Sequence, residues 1–327
     1  MKRTERLWWR LAKTLHRWDY AVLLPLLARL PLRLGMALAL WRGRLNALVA
    51  RDWRSMALGT RHIHRMSLQG AQELARRGLI PPSQVAAAAR QRFVVEARDE
   101  FEARLMWNGR WRELVCEFDP PDAPARLQHL LRDHGAVLLT PHYDSFYLGI
   151  AFLAQASGCT VHAMASAVPA DPRVDKAVTR HFDCKYRGLE RGLRGGRVLD
   201  MEAGIRPFYR LLQGREALVV LADAPVLPDG AKMQAPFLGA VRELAGGAAR
   251  LAQHTDSHLA AFVCEHLGGP RYRLRWCDGG AYSPETMAAL YAFMGQAIAS
   301  EPGRWWAMDL LPNLPEARPI ELHEATP

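Results

Sequence analysis

The feature that most constrains the fold is an alternation of short apolar runs with helical patterns, which starts after FDPPDAP at positions 118–124. The runs AVLLT (136–140), TVHAM (160–164), ALVVLA (217–222), LAAFV (259–263) and YRLRW (272–276) are predicted to be strands. Helical patterns separate most of them, which is typical of an α/β sheet with helices on its faces. From about residue 45 to 117, apolar residues recur at intervals of three and four and predict helices. We therefore predict one domain over 45–327, with a helical part at 45–117, an α/β core at 125–300 and an irregular closing segment at 301–327.

The N-terminal segment has a different composition. Residues 1–54 hold twelve Lys or Arg and three acidic residues, so most of the net charge of +10 lies there, together with five of the ten tryptophans. Trp with basic residues is typical of a membrane–water interface. The apolar run at 20–41 is broken by two prolines and two arginines, whereas a membrane span needs about twenty apolar residues. We predict that residues 1–44 form membrane-associating helices that lie in the interface; the alternative is a set of ordinary amphipathic helices packed on the body.

Several classes of protein are disfavoured by the sequence. The five cysteines are scattered and odd in number, which argues against a disulfide framework and a zinc module. His254 and His258 are four residues apart, but their segment resembles a loop that enters a strand, so we predict no metal site. The basic N-terminus is interleaved with bulky apolar residues and no nucleic-acid reader motif is present, so we predict no nucleic-acid partner. A serine hydrolase is disfavoured because there is no Gly-x-Ser-x-Gly motif.

His142 is the first candidate for chemistry. It lies in TPHYDS, directly after a predicted buried strand and before an apolar helical stretch. A histidine at such a junction can project into a cleft, and its near-neutral pKa suits proton abstraction from a hydroxyl. Asp144 could orient the imidazole if the turn brings the two side chains together. Alternatively, Asp144 or Ser145 caps the helix that follows.

Three segments in order resemble the lauroyl/myristoyl acyltransferase family of lipid A biosynthesis. They are GAVLLTPHYDSFYLG, GIRPFYRLLQGREALVVLADAP and QAPFLGAVRELAGGAARLAQHTDSHLAAFV, and the similarity extends from about residue 45 to GRWWAMDLLP near the end. The resemblance implies a central mixed sheet flanked by helices, of the glycerolipid acyltransferase type. It implies His142 as general base, Asp223 as a further catalytic residue, and Phe237 with Gly239 as part of a loop that shapes the acyl pocket.

One position departs from the family pattern. The family has Glu or Asp as the fifth residue after its histidine, but this chain has Tyr147. Three interpretations follow: Asp144 takes over the orienting role, Tyr147 hydrogen-bonds the ring more weakly, or the chain has lost catalysis and only binds lipid. The last is the main alternative to an enzyme.

The resemblance also implies the reaction and its partners. An acyl group would pass directly from acyl carrier protein or coenzyme A to a hydroxyl of a lipid or glycolipid, with no further cofactor, at the cytoplasmic face of a bacterial inner membrane. Arg206, Lys232 and Arg250 are candidates for binding a phosphate-bearing acceptor, since Arg and Lys are the side chains that bind phosphate. Arg173 would have to replace an arginine that the family usually has near the second strand.

Overall fold

The computed structural model describes residues 13–58, 61–166, 171–226 and 230–317. The predictions for the first twelve residues and for the last ten lie outside these ranges. The helices of the described part are α1 Leu24–Leu27, α2 Leu32–Val49, α3 Ser55–Leu58, α4 His62–Arg76, α5 Val85–Trp107, α6 Ala123–Asp133, α7 Phe146–Ser157, α8 Lys176–Glu190, α9 Arg206–Gln213, α10 Gly247–Thr255 and α11 Pro284–Ser300. A π-helical turn at Asp19–Leu23 precedes α1, and 3₁₀ turns occupy Pro82–Gln84, Arg110–Glu113, Met201–Ala203, Pro302–Arg304 and Met308–Asn313.

The strands are β1 Val115–Asp119, β2 Ala136–Thr140, β3 Val161–Ala165, β4 Val198–Asp200, β5 Ala217–Leu221, β6 Lys232–Phe237, β7 Ala240–Ala245, β8 His258–Gly268 and β9 Arg271–Gly280. Seven of them form one sheet in the order β1-β9-β8-β2-β5-β3-β4, in which β8 and β9 are antiparallel and the other pairs are parallel. β6 and β7 form a separate antiparallel hairpin. The predicted α/β fold with a mixed sheet and flanking helices is therefore confirmed.

β2 lies at the centre of the sheet and all five of its residues are buried. Its side chains alternate between two cores: Ala136 and Leu138 pack on one face, and Val137 and Leu139 on the other. A parallel strand that is covered on both faces is apolar throughout, which explains the unbroken run AVLLT.

The five predicted strands correspond to β2, β3, β5, β8 and β9. β1, β4 and the β6–β7 hairpin were not predicted. The hairpin turns through Leu238 and Gly239, whose φ angles are 53° and 76°. Positive φ at both central residues is the geometry of a two-residue hairpin turn, and a turn with leucine in the first position lacks the usual Asn-Gly or Asp-Gly signal.

α5 carries an unusual number of buried charges for a central helix. Its buried charged residues are Arg92, Glu96, Arg98, Asp99, Glu100, Glu102 and Arg104. Ion pairs join several of them to other helices, including Arg42–Glu100 at 2.6 Å and Arg92–Asp52 at 2.9 Å. Removing one partner of such a pair leaves an uncompensated buried charge. These pairs therefore link α2 and the turn after it to the main body.

In the described ranges, no helix combines the length and the apolar character that crossing a membrane requires. The membrane-associating role of the N-terminal helices stays a prediction.

Candidate active site

His142 and Asp223 lie at the same edge of the sheet. β2 and β5 are parallel neighbours whose last residues, Thr140 and Leu221, are paired in register. Each strand is followed two residues later by one of the two site residues. In open α/β sheets this carboxyl edge is where ligands bind, so residues that are 81 positions apart in the chain meet there.

The carboxylate of Asp223 accepts three hydrogen bonds from the surroundings of His142. Its Oδ1 is 2.8 Å from the ring Nδ1 of His142, and its Oδ2 accepts from the backbone N–H of His142 at 2.8 Å. The indole Nε1 of Trp305 donates to the same Oδ2 at 2.6 Å. An ionised carboxylate only accepts, so Nδ1 must carry a proton, and in the neutral ring Nε2 then keeps a free lone pair.

Asp223 is ionised in this setting. It is completely buried, and burial alone would raise its pKa; the charge of His142 and the hydrogen bonds from His142 and Trp305 outweigh burial and lower the pKa of Asp223 below its usual value. A buried, ionised carboxylate beside an imidazole stabilises the imidazolium that forms when Nε2 takes up a proton.

Two aromatic side chains enclose the imidazole of His142. The ring centroid of Trp306 is 4.7 Å away and that of Phe146 is 5.3 Å away, both edge-on. The backbone N–H of Trp306 also donates to the carbonyl of His142 at 3.2 Å. The His142 side chain is 15% exposed, and no described residue hydrogen-bonds its Nε2. Nε2 is therefore the ring nitrogen that is available to a substrate.

Asp144 does not contact the imidazole, contrary to the orienting role considered from the sequence. It has a left-handed φ of 51° and a fully buried carboxylate. Oδ1 pairs with Arg98, and Oδ2 accepts from Arg304 Nη1 at 2.7 Å and from the backbone N–H of His266 at 2.9 Å. The backbone turn points this side chain toward α5 and β8, and Asp223 occupies the position beside Nδ1.

Glu102 on α5 extends the same ion network. It is 3.0 Å from Arg98 Nε and accepts hydrogen bonds from Ser145 Oγ at 3.0 Å and Tyr272 OH at 2.9 Å. Burial outweighs the charge of Arg98 and raises the pKa of Glu102 to about 7. The turn at 143–145 is thus fixed by charged groups that lie behind it.

Tyr147 points away from His142. Its hydroxyl donates to the backbone carbonyl of Lys185 on α8, and Lys185 Nζ lies 4.4 Å from the centre of its ring. Lys185 in turn pairs with Asp99 at 2.5 Å. The hypothesis that Tyr147 hydrogen-bonds the imidazole is therefore wrong, because its hydroxyl is already bound on the far side of α7.

Phe237 and Gly239 line a groove with a volume of about 520 Å³. Its other walls include Leu79 and the α11 residues Tyr291 and Gly295. The groove is next to the site: the Tyr291 hydroxyl donates to the carbonyl of Ala222 at 3.0 Å, and the Phe237 ring is 6.4 Å from the ring of Trp305.

The predicted phosphate-binding residues are not brought together with the histidine. Arg206 and Arg250 are exposed on α9 and α10. Lys232 pairs with Glu243 of the neighbouring strand at 2.8 Å. Arg173 is exposed and pairs with Asp171 at 2.7 Å. None of these four contacts His142 or Asp223 in the described ranges, so their binding role stays a prediction.

Five residues that shape the site are not among those predicted from the sequence: Phe146, Trp305, Trp306, Arg98 and Arg304. The two tryptophans lie in GRWWAMDLLP, for which the sequence predicts an irregular closing segment at the end of the family resemblance. The rarity of Trp-Trp pairs could have drawn attention to this segment, but no local pattern says that it folds back onto a loop more than 150 residues earlier.

Comparison with known proteins identifies the class. The family model for the bacterial lipid A biosynthesis acyltransferases matches residues 126–309, more than half of the chain, and this range includes His142, Asp223 and Trp305. The chain therefore belongs to this family and is an acyltransferase. Members take an acyl thioester donor and a lipid acceptor in general. A search of the curated proteins found no match.

Proposed function

We propose that the protein transfers a fatty acyl group from acyl carrier protein or acyl-CoA to a hydroxyl of a lipid or glycolipid, with His142 as general base and Asp223 as its partner. The observation that carries this proposal is the 2.8 Å contact between the ring Nδ1 of His142 and a buried carboxylate. This contact orients the ring and leaves Nε2 free, as a general base requires.

The proposed reaction is a direct transfer without an acyl-enzyme. Nε2 of His142 takes the proton of the acceptor hydroxyl while the hydroxyl oxygen attacks the thioester carbonyl. The new C–O bond forms, the C–S bond breaks, and the imidazolium returns its proton to the leaving thiolate. Asp223 stays ionised and stabilises the imidazolium between these two steps.

The groove beside Phe237 and Gly239 is suited to the acyl chain of the donor. Its volume is about 520 Å³ and its walls are largely apolar or small. Phe237 in its wall packs edge-on against Trp305, which hydrogen-bonds Asp223, so the groove and the His142–Asp223 pair share a neighbour. An apolar groove near a polar reaction centre suits a fatty thioester.

We further propose that the N-terminal helices bind the cytoplasmic face of the bacterial inner membrane. In the described part of the chain, most of the well-exposed large hydrophobic residues lie between residues 15 and 58. They are Leu15, Trp18, Val22, Leu26, Leu34, Trp41, Leu45, Leu48, Val49 and Leu58. Apolar side chains that project from a basic segment suit the surface of an anionic bilayer. This arrangement would place the enzyme where its lipid acceptor is found.

Acyl transfer is tested with purified protein in detergent, labelled acyl carrier protein or acyl-CoA, and bacterial lipid extract. We expect label in a lipid product with the wild type and a rate lower by about 10²- to 10⁴-fold with His142→Gln. A folded wild type that binds the lipids but transfers no label from either donor would support the alternative, a lipid-binding member that has lost catalysis.

Membrane binding is tested by sedimentation with anionic vesicles. Leu48 is 78% exposed on α2, and Val115 is 62% exposed on β1, outside the N-terminal helices. We expect Leu48→Asp to weaken binding and Val115→Asp to leave it unchanged. Equal binding of both variants and the wild type would refute a role for this face.

A further inference from the structure

Trp305 is the second side chain that hydrogen-bonds Asp223. Its indole Nε1 donates to Oδ2 at 2.6 Å, while His142 Nδ1 contacts Oδ1 at 2.8 Å. The two oxygens of the Asp223 carboxylate therefore bind different groups. One faces the imidazole, and the other is held by the indole and by the backbone N–H of His142.

The chain holds Trp305 firmly in this place. Its side chain is completely buried, and its backbone forms an antiparallel bridge with Tyr143, next to His142. The preceding residue, Arg304, accepts a backbone hydrogen bond from Asp144 at 2.9 Å. The indole is thus fixed to the same turn that carries the histidine, and it cannot touch a substrate in the cleft.

A buried carboxylate that loses one of its hydrogen-bond donors becomes more basic and is held less firmly against rotation about its Cβ–Cγ bond. Hydrogen bonds to charged groups are stronger than those between neutral groups, and they favour the ionised form. For Asp223, rotation would take Oδ1 away from Nδ1 of the imidazole, and higher basicity would raise the proton affinity of the pair. Both changes would act on proton transfer and not on the binding of the acyl chain or the acceptor.

We propose that Trp305 is a positioning residue, which acts through Asp223 to hold the His142 imidazole in the orientation and charge state needed for acyl transfer. This inference rests on the proposed function, in which His142 is the base. It assigns the closing tryptophan segment a role in the reaction in addition to its role in the core.

The test replaces the indole N–H and keeps the packing. In Trp305→Phe we expect kcat to fall about 10- to 100-fold with KM within about twofold of the wild type. We also expect the titration of the His142–Asp223 pair to move to higher pH, because a carboxylate that has lost the indole N–H stabilises the neighbouring imidazolium more strongly. The pair is followed both by the acidic limb of the pH–rate profile and by the ring ¹⁵N signals of His142.

Trp276→Phe is the matched control. Trp276 lies on β9, and its Nε1 also donates to a carboxylate, that of Asp278, at 2.6 Å. Its loss removes the same kind of hydrogen bond, but from a residue that contacts neither His142 nor Asp223 in the described ranges. We expect kcat, KM and the titration of the His142–Asp223 pair to stay as in the wild type.

A second replacement guards against misfolding. β-(3-Benzothienyl)alanine at position 305 has the shape of tryptophan with sulfur in place of the N–H, and it should give the same results as phenylalanine. Wild-type titration of the pair in this folded variant would overturn the inference. If the wild type transfers no acyl group, the proposed function fails, whereas the ¹⁵N titration still decides whether Trp305 controls the pair.

Discussion

The loop after β5, which carries Asp223, and the turn after β2, which carries Asp144, each place a buried carboxylate near His142. Asp223 and Asp144 are both completely buried, yet their partners differ in kind. Asp223 accepts hydrogen bonds from N–H groups, and one of them belongs to an imidazole that can gain and lose a proton. Asp144 faces two guanidinium groups, from Arg98 and Arg304, which stay charged throughout. The difference indicates that only the loop after β5 can take part in proton transfer, whereas the turn after β2 holds the histidine in place.

The largest effect is expected at the loop after β5. In Asp223→Asn the side chain is an amide with a single accepting oxygen. That oxygen cannot accept from the ring Nδ1 of His142 and also from the two N–H groups that bind Oδ2 in the wild type. The preferred tautomer of His142 is lost, and we expect kcat to fall about 10³- to 10⁴-fold. Acyl transfer measured on folded protein checks this, and activity close to that of the wild type would remove Asp223 from the mechanism.

A different pattern is expected at the turn after β2. Asp144→Asn leaves Arg98 and Arg304 without their shared anion, so the free energy of unfolding should fall by about 3–5 kcal/mol. Below the unfolding temperature we expect kcat to fall no more than about tenfold, because the ring Nδ1 of His142 keeps its hydrogen bond to Asp223. Denaturant unfolding and the acyl-transfer assay on the same sample separate the two quantities. If Asp144→Asn lost as much rate as Asp223→Asn without losing stability, Asp144 and not Asp223 would be the catalytic partner of His142.

Much of the fold was predictable and much of the site was not. AVLLT and ALVVL are apolar throughout, so they could be identified as buried parallel strands, but the sequence does not say that β2 and β5 are neighbours. Asp144 is a candidate partner from the sequence because it is two residues from His142. The left-handed φ of Asp144 and the crossover between the strands bring a carboxylate 81 positions away into contact instead.

The charges of α5 illustrate a second limit. A helix with six charged residues from Glu96 to its end would usually be expected to face solvent on one side. In the structure their partners come from other elements, such as Asp52, Lys185 and Arg42. Nothing local in the sequence encodes this pairing.

A pH effect follows from Glu102, which supports the turn after β2. Its pKa is raised to about 7 in the folded protein, above the value of 4.5 that it has in an unfolded chain. The folded state therefore binds more protons between these values, and the stability contributed by Glu102 is full below about pH 4.5 and is lost as the pH rises through about 7. In Glu102→Gln this part of the pH dependence of the free energy of unfolding should disappear. Denaturant unfolding midpoints measured from pH 5 to 8 check this. An unchanged slope would mean that Glu102 does not titrate in this range.

The smallest effect concerns the groove beside the loop after β5. A Cβ added at Gly295 meets its nearest neighbours, the backbone N of Leu238 and Cδ2 of Phe237, at 3.7 Å, so Gly295→Ala should be tolerated. Gly295→Leu should fill part of the groove and shift the ratio of kcat/KM between short and long acyl donors about tenfold toward the short ones. A series of donors with increasing chain length measures this ratio. If the two variants show the same preference, the acyl chain does not lie in this groove.

The central claim is that Asp223 holds the Nδ1–H of His142 and leaves Nε2 free to act as the base. Imidazole ¹⁵N NMR of the wild type tests this most directly, with the His142 signals identified by their loss in His142→Gln. At a pH where the ring is neutral, the account predicts a proton on Nδ1 and none on Nε2, and a loss of this preference in Asp223→Asn but not in Asp144→Asn. A proton on Nε2 in the wild type, or a tautomer that depends on Asp144 instead of Asp223, would contradict it.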